Sequence, residues 1–315
     1  MFYRTIAIVI TLLAAISAKT VEPASFAAAK TIDAAALLLA SEQVSSVPDL
    51  AKYPVNIQKN APISTIHNDW ASFHDGAALV WKADMDTDCD GIDYKCEGNP
   101  DGQSLTNWGA LSAFEVPFIV IPDKFLQANP KAIPGNNVAA VICDKKIFYA
   151  ILGDSNFNTP QVTGEGSWLL SRTCFPDAKI NGNHGHDTPD VTYILFTGEE
   201  AVLPKTALND NYITDFDTLR AMGDHLTTAL LHNLGIPPLS PGSSTDDKPG
   251  DTPGHDNNEQ DGDHPVDSPE PPEPPETPPG SAGSDFDSGA SVQCPRAASF
   301  TILLVTLVVV FLVMN

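Results

Sequence analysis

Short apolar runs separated by turn residues dominate residues 78–197 of the chain. They are rich in β-branched and aromatic residues, and the four clearest read ALVWKADMD, VPFIVIP, VAAVICDKKIFYAILGD and DVTYILFTG. Continuous apolar runs of this length are typical of strands buried on both faces, so the pattern predicts a barrel or a packed sheet. In the third run, VAAVIC and IFYAIL flank Asp144, Lys145 and Lys146, which predicts a β-hairpin.

Helical patterns lie before, between and after these strands. Residues 31–44 are rich in Ala and weakly helical, and SWLLSRTC predicts a short helix directly after Glu165. Residues 215–233 form a longer amphipathic pattern. Its apolar positions recur at helical spacing and are expected to pack on the core: Leu219, Met222, Leu226 and Leu230. The predicted class is α+β and rich in strands, a compact β-barrel-like single domain with a few helices. The double-psi barrel is our working hypothesis for its type.

The first 18 residues have the pattern of a secretory signal peptide. Arg4 supplies a positive charge, residues 6–16 are largely apolar, and Ser17 and Ala18 offer a cleavage site before Lys19. An uncleaved anchor is the alternative.

The C-terminal residues have the pattern of a GPI-attachment signal. Ser288, Gly289 and Ala290 are small, a spacer follows, and residues 300–314 are apolar. We place the attachment at Ser288, with Ser281 and Gly283 as alternatives for the attachment residue and an ordinary tail anchor as the alternative for the segment.

Residues 237–287 are dense in Pro, Asp, Glu, Ser and Gly and have almost no apolar side chains. Such a segment cannot bury enough surface to offset the entropy of ordering, and its prolines make it stiff and extended. We therefore expect a disordered stalk here.

The chain is strongly acidic, with a formal net charge of -23. Residues 19–236 alone contain 27 acidic and 14 basic residues, so their net charge is about -13. This charge argues against nucleic acid as a partner and suits a polycationic one. Solubility alone is the other explanation.

Five cysteines in a secreted chain favour disulfides. Cys294 lies beyond the proposed attachment site, which leaves four cysteines and three possible pairings. We favour Cys89 with Cys96, seven positions apart, and Cys143 with Cys174.

Residues 85–98, MDTDCDGIDYKCEG, match the spacing of a calcium-binding EF-hand loop. The matching residues are Asp86, Asp88, Asp90, Gly91 and Glu97. Two features argue against calcium: the preceding segment predicts a strand, and the eighth position of the loop is Asp93 instead of an apolar residue. A bridge between Cys89 and Cys96 would also close the loop covalently. We interpret the stretch as an acidic lip held by a disulfide.

Other metal and cofactor motifs are weak in this sequence. His184 and His186 in HGHD have no Cys or His partners at zinc spacing, so no metal site is predicted. There is no GxSxG elbow, phosphate-binding loop or dinucleotide fingerprint.

Two carboxylates stand out by their positions. Asp154 ends the predicted strand IFYAILGD, and Glu165 follows eleven residues later between Gly164 and Gly166. A strand end and a returning loop can bring two carboxyl groups to one cleft, as glycoside hydrolysis requires. Solvated turn residues are the simpler explanation.

Six short motifs, in order, support the first interpretation: DMDTDCDG, NPDGQS, AAVICDKKIFYAILGDSN, GEGSWLL, INGNHGHD and DVTYILFTG. This set resembles the fungal endo-chitosanases of glycoside hydrolase family 75 over about residues 83–198. The resemblance implies that Asp154, in GDSN, and Glu165, in GEGS, are the catalytic pair. It also implies an inverting mechanism, with Glu165 as general acid and Asp154 as general base, although spacing does not decide between the two roles. Ser155 stands where the family pattern has Thr, and the loop between the two carboxylates is slightly shorter.

The resemblance also suggests which residues bind the sugar polymer, whose units carry ammonium groups. For each of them a core or solvated-turn role is the alternative. The carboxylate candidates are Asp86, Asp88, Asp90, Asp101 and Asp187, and the hydroxyl-binding candidates are Gln103 and Asn156. The stacking candidates are Trp108, Trp168 and Tyr193.

The predicted organisation is a signal peptide (1–18), a partly helical lead-in (19–60), a chitosanase-like catalytic domain (61–236), the stalk (237–287) and the GPI signal (288–315). The predicted function is a secreted, cell-surface endo-chitosanase that cleaves β-1,4 linkages between glucosamine units without a cofactor. Chitosan would be its partner, the membrane would be contacted only through the lipid anchor, and the protein would be a monomer. The alternatives are a non-catalytic wall polysaccharide-binding protein or adhesin, and a hydrolase of another β-glucan.

Overall fold

The computed structural model describes residues 20–182 and 184–239. The predicted signal peptide, almost all of the stalk and the GPI signal with Ser288 lie outside these residues. The described part contains eight strands, β1 (Lys52–Pro54), β2 (Ile63–Thr65), β3 (Ala78–Asp88), β4 (Phe118–Pro122), β5 (Val138–Cys143), β6 (Lys146–Asn156), β7 (Glu165–Ser167) and β8 (His186–Phe196). It also contains four α-helices, α1 (Ala34–Ser41), α2 (Asp123–Ala128), α3 (Trp168–Cys174) and α4 (Phe216–Asn233).

Six strands close into a barrel in the order β3-β7-β4-β6-β5-β8. The pairs β3–β7 and β4–β6 are parallel, and the other neighbours are antiparallel. The remaining two strands, β1 and β2, form a separate antiparallel pair. The predicted compact α+β barrel is therefore confirmed, whereas its double-psi type stays a prediction.

The buried runs of the sequence form the barrel wall. All residues of β4 and β5 are buried, and in β6 only Lys146 is exposed. The predicted hairpin joins β5 to β6 through Asp144 and Lys145, whose φ angles are 45° and 61°. Two successive residues with positive φ are the signature of the tight turn whose twist matches that of the strands. Lys146 belongs to β6 and not to the turn.

The late helix covers one side of the barrel, as its pattern predicts. The Asp215 side chain accepts a hydrogen bond from the Thr218 N–H and caps the first turn. Three of the four predicted apolar positions are buried, Leu219, Leu226 and Leu230, and Met222 packs against the core while partly exposed. No helix of the described residues is long and apolar enough to span a membrane.

Residues 20–60 share the core of the residues that follow them. Phe26 and Leu37 are fully buried, and the Phe26 carbonyl accepts a 2.7 Å hydrogen bond from the Tyr149 N–H of β6. The predicted helix of this segment is α1, and the Asp33 side chain caps it by accepting from the Ala36 N–H. Packing against the barrel thus fixes the structure of this segment.

Two disulfides are present, and both are the favoured pairs. Cys89 is bonded to Cys96 in the acidic segment after β3. Cys143, at the end of β5, is bonded to Cys174, at the end of α3. The second bridge links a barrel strand to a helix 31 residues away.

The contact between α4 and β6 allows the effect of side-chain packing to be compared with the effect of helix propensity. A Cβ atom at Gly223 would overlap the Tyr149 ring carbons, far inside the van der Waals contact distance. Gly223→Ala should therefore lower the free energy of unfolding by about 1–3 kcal/mol, although alanine alone favours a helix by about 1 kcal/mol. Thr228→Ala, at an exposed site of the same helix, should be neutral or stabilising. Denaturant unfolding measures both, and a stabilised Gly223→Ala protein would contradict this packing.

Candidate active site

A row of paired residues crosses four neighbouring strands near one end of the barrel. Asp86 of β3 pairs with Glu165 of β7, and Glu165 pairs with Val120 of β4. On its other side, Val120 pairs with Asp154 of β6. Directly paired residues point to the same side of a sheet, so three carboxyl groups project together. Two strand spacings separate the Cα atoms of Glu165 and Asp154, which is about 10 Å.

These carboxyl groups open into a cleft of about 550 Å³. Eight of the described residues that line it are acids, and none is Lys or Arg. The acids are Asp84, Asp86, Asp88, Asp90, Asp101, Asp154, Glu165 and Asp187. A cleft of this size is large enough for a small-molecule or sugar ligand, and its negative charge favours a cationic one.

Asp154 accepts hydrogen bonds from the main chain. Its Oδ1 receives the N–H groups of Ser155 at 2.8 Å and Asn107 at 3.1 Å. The Asn107 side chain in turn donates to the Ser155 hydroxyl at 2.8 Å. Burial raises the pKa of Asp154 to about 7, against the effect of the two N–H groups, which stabilise its ionised form. The Asp154 carboxyl group thus has two main-chain donors in fixed positions.

Glu165 is held by one side chain. Asn156 Nδ2 donates to both carboxyl oxygens of Glu165, at 2.9 Å and 3.2 Å. Asn156 Oδ1 accepts from the N–H groups of Asn158 at 3.1 Å and Val162 at 3.3 Å, which fixes the direction of the amide. Desolvation, followed by the charges of neighbouring carboxylates, raises the pKa of Glu165 well above its ordinary value. Glu165 therefore holds its proton more strongly than an ordinary glutamate does.

Most of the predicted ligand residues line this cleft. They are Asp86, Asp88, Asp90, Asp101, Gln103, Asn156 and Asp187. Among them, Asn156 bonds to Glu165, and Asp90 accepts the Gln103 N–H at 2.8 Å. The predicted acidic lip, residues 85–98, thus contributes three of them, Asp86, Asp88 and Asp90.

The predicted stacking residues do not line the cleft. Trp168 meets Phe114 edge to face with ring centroids 5.1 Å apart, and Trp108 packs partly buried against the core. Tyr193 is fully buried and stacks on Trp81, so its ring cannot contact a sugar. Each of these rings contributes to packing, which was the alternative role for all three.

Several cleft residues were not singled out in the sequence. Phe157, 57% exposed in the loop after β6, presents the only aromatic ring among the described lining residues, apart from the imidazole of His184. The sequence feature that could have indicated Phe157 is an aromatic residue within the polar stretch SNFNTP. Residues 56–58 line the cleft from the connection between β1 and β2, and no local pattern indicated this.

The residues of the EF-hand-like motif and of the HGHD motif do not come together as metal ligands among the described residues. Asp86 and Asp88 belong to a strand, and their charges act on Glu165, whereas Glu97 is exposed. His186 bonds to Asp190 at 2.7 Å and stacks on Phe175. Within residues 20–182 and 184–239, no group of three or more His, Cys, Asp or Glu side chains is arranged to hold a metal ion.

A barrel with an acidic cleft and two differently solvated carboxyl groups is typical of glycosidases that use two carboxylates. Residues 85–229 match the family described as fungal chitosanase of glycosyl hydrolase group 75. The chain belongs to this family.

Named relatives agree with this assignment. The chain is 59% identical to endo-chitosanase C of Aspergillus oryzae over 211 residues, which is 67% of this chain and 55% of that protein. It is 37% identical to endo-chitosanase B of the same organism over 178 residues, or 50% of this chain and 72% of the relative. An endo-chitosanase of Aspergillus fumigatus is 34% identical over 166 residues, 46% of this chain and 68% of the relative. The chain therefore spans little more than half the length of endo-chitosanase C.

The raised pKa of Asp154 predicts how stability depends on pH. Between its ordinary value, 3.8, and about 7, folded Asp154 keeps a proton that the unfolded chain releases. Stability should therefore fall as pH rises through this range. Asp154→Asn should unfold at the wild-type temperature near pH 4 and on the order of 5 °C higher near pH 8.

Thermal unfolding followed by circular dichroism at several pH values measures this difference. Asp144→Asn, at an exposed turn residue, is the matched control and should follow the wild type throughout. Parallel pH curves for wild type and Asp154→Asn would show that burial does not perturb this group.

Proposed function

We propose that the protein is an endo-chitosanase that hydrolyses β-1,4 linkages between glucosamine units of chitosan without a cofactor. One observation carries the proposal: Asp154 and Glu165 face a single cleft whose described lining contains eight acids and no Lys or Arg. Each deacetylated unit of chitosan carries an ammonium group, for which carboxylates are the strongest hydrogen-bonding partners. The related proteins named endo-chitosanases support the same substrate.

The two carboxyl groups would take different roles because their surroundings differ. Glu165, with its strongly raised pKa, keeps the proton that a general acid must give to the leaving oxygen. Asp154, whose ionised form accepts two main-chain N–H groups, is the better general base for a water molecule. Asn156 would direct the Glu165 carboxyl toward the glycosidic oxygen.

The spacing of the pair supports inversion of the anomeric centre. Inverting glycosidases separate their carboxyl groups by about 6.5–9.5 Å, which leaves room for water. Cα atoms about 10 Å apart on strands that project the same way are compatible with such a gap. Phe157 would provide an apolar face for a sugar ring.

The cellular setting belongs to the same proposal. The signal-peptide pattern, the proline-rich acidic stalk and the GPI-attachment pattern at Ser288 support a secreted monomer tethered at the cell surface or wall. Release by a phosphatidylinositol-specific phospholipase, in protein made by its native host, tests the anchor. Protein that remains in the membrane fraction after this treatment would contradict it.

The reaction is tested by reducing-end release from chitosan, chitin and carboxymethylcellulose. Chitosan should be the preferred substrate. Folded protein that binds chitosan without cleaving it would indicate a non-catalytic wall protein, and release from the cellulose derivative alone would indicate a hydrolase of another β-glucan. Proton NMR of the first product should show the α-anomer, and an initial β-anomer would rule out inversion.

Glu165→Gln should lower kcat about 100- to 10,000-fold, because the amide cannot donate a proton to the leaving oxygen. The melting temperature should not fall and chitosan binding should stay close to wild type, since glutamine keeps the size and an acceptor for Asn156. Glu199→Gln, the same substitution at an exposed position away from the cleft, should keep full activity. Substantial turnover by Glu165→Gln would remove Glu165 from the role of acid.

A further inference from the structure

Asp84 is a buried carboxyl group that the two-carboxylate mechanism does not use. The residue is 2% exposed and lines the cleft. Its Oδ1 atom is buried and has no hydrogen-bond partner. An unpaired buried polar atom is costly to keep, and in a binding cleft it marks a place where a ligand supplies the missing partner.

A break in the barrel wall places Asp84 at the cleft. β3 pairs with β8 at Ala83↔Val191 and again at Met85↔His186. Four residues of β8, 187–190, therefore loop out opposite the single residue Asp84. Asp187, in this loop, also lines the cleft.

The surrounding residues hold the Asp84 main chain and leave its Oδ1 atom unpaired. The Tyr193 hydroxyl donates to the Asp84 carbonyl oxygen at 2.7 Å and not to the side chain. On the other side, Gly164 provides the space: a Cβ atom there would collide with Asp84 Oδ1. Gly164 has a φ of 99°, so its conformation also favours glycine.

No Lys or Arg side chain of the described residues neutralises the acidic groups around Asp84. Burial, followed by the charge of Asp86, raises the pKa of Asp84 to about 8. Burial and then Asp187 raise that of Asp86 to about 6, against a lowering effect of His184. None of the three acids forms an ion pair with a Lys or Arg among the described residues.

We propose that Asp84, Asp86 and Asp187 form a recognition site for the C2 ammonium group of one glucosamine unit, on the Glu165 side of the cleaved bond. The proposal rests on the proposed chitosanase function. An ammonium group offers three N–H donors, which the oxygens of three carboxyl groups can accept, and its positive charge favours their ionised form. An N-acetyl group offers one N–H and no charge, and it is bulkier. The site would therefore select a deacetylated unit at this position.

Its placement follows from the pairing of the strands. Asp86 is the direct neighbour of Glu165 in the β3–β7 ladder, and its N–H donates to the Gly164 carbonyl at 2.7 Å. The site is thus one strand away from the proposed acid and three away from Asp154. An ammonium bound there belongs to a sugar unit next to the bond that Glu165 protonates.

The test compares two asparagine substitutions in the looped segment of β8. Asp187→Asn should raise KM for the fully deacetylated glucosamine hexamer about tenfold. Asp190→Asn, equally exposed in the same loop but outside the cleft lining, should leave KM and kcat unchanged. Equal KM values for both variants and the wild type would overturn the proposal.

The second arm uses Asp84→Asn and partially acetylated chitosan. Mass spectrometry of wild-type products should show glucosamine enriched at one fixed position beside the cleaved bond, and Asp84→Asn should lose this enrichment. Its melting temperature should not fall, because asparagine has nearly the shape of the neutral, protonated carboxyl group that burial favours below about pH 8. Retained enrichment in a folded Asp84→Asn protein would overturn the inference.

Two controls separate the possible failures. If wild-type protein cleaves no chitosan, the proposed function fails; if it cleaves chitosan but Asp84→Asn keeps the wild-type pattern, only this inference fails. Calcium chloride alone, titrated by calorimetry, should give no heat that depends on Asp84. Calcium binding that Asp84→Asn abolishes would assign the site to a metal ion and overturn the ammonium assignment.

Discussion

The site depends on one constraint: several carboxyl groups are held close together and away from water at one end of the barrel, where desolvation and mutual repulsion disfavour their ionised forms. The three-residue strand β7 lies between β3 and β4 and places Glu165 between Asp86 and the Val120–Asp154 pair. Groups of the same charge at this spacing cannot all be ionised without a compensating cation. Loss of water around each group is the largest cause of the raised pKa values of Asp86, Asp154 and Glu165, and the charges of nearby carboxylates raise them further.

In this fold the two carboxyl groups are stabilised by neutral hydrogen-bond donors. The described residues that line the cleft include no Lys or Arg. Asp154 receives main-chain N–H groups, whereas Glu165 receives one amide whose direction is itself fixed. Because these donors differ in number and strength, two carboxyl groups in one cleft keep protons with different affinity. An acid and a base can thus coexist, and the remaining negative charge is available to a cationic polymer.

The cleft is built from segments that lie far apart in the chain. The connection after β1 supplies residues 56–58 to the cleft, and Asn107, next to Trp108 on a loop, bonds to Asp154. The Cys89–Cys96 bridge lies inside the segment that supplies Asp90. The predicted lead-in thus packs on the core through Phe26 and Leu37 and reaches the cleft through residues 56–58.

Local pattern was sufficient for the long barrel strands, for the hairpin and for the late helix. The runs VAAVIC and IFYAIL predicted their hairpin because apolar periodicity and turn residues are local properties, and the same holds for the helix that begins at Phe216. The positions of Asp154 and Glu165 beside a strand end indicated a carboxylate pair. The packing positions of Trp168 and Tyr193, and the absence of a partner for Asp84 Oδ1, were decided only by the tertiary structure. Whether a ring packs or is exposed, and whether a carboxyl group finds a partner, depends on residues brought together by barrel closure, and sequence spacing does not record those contacts.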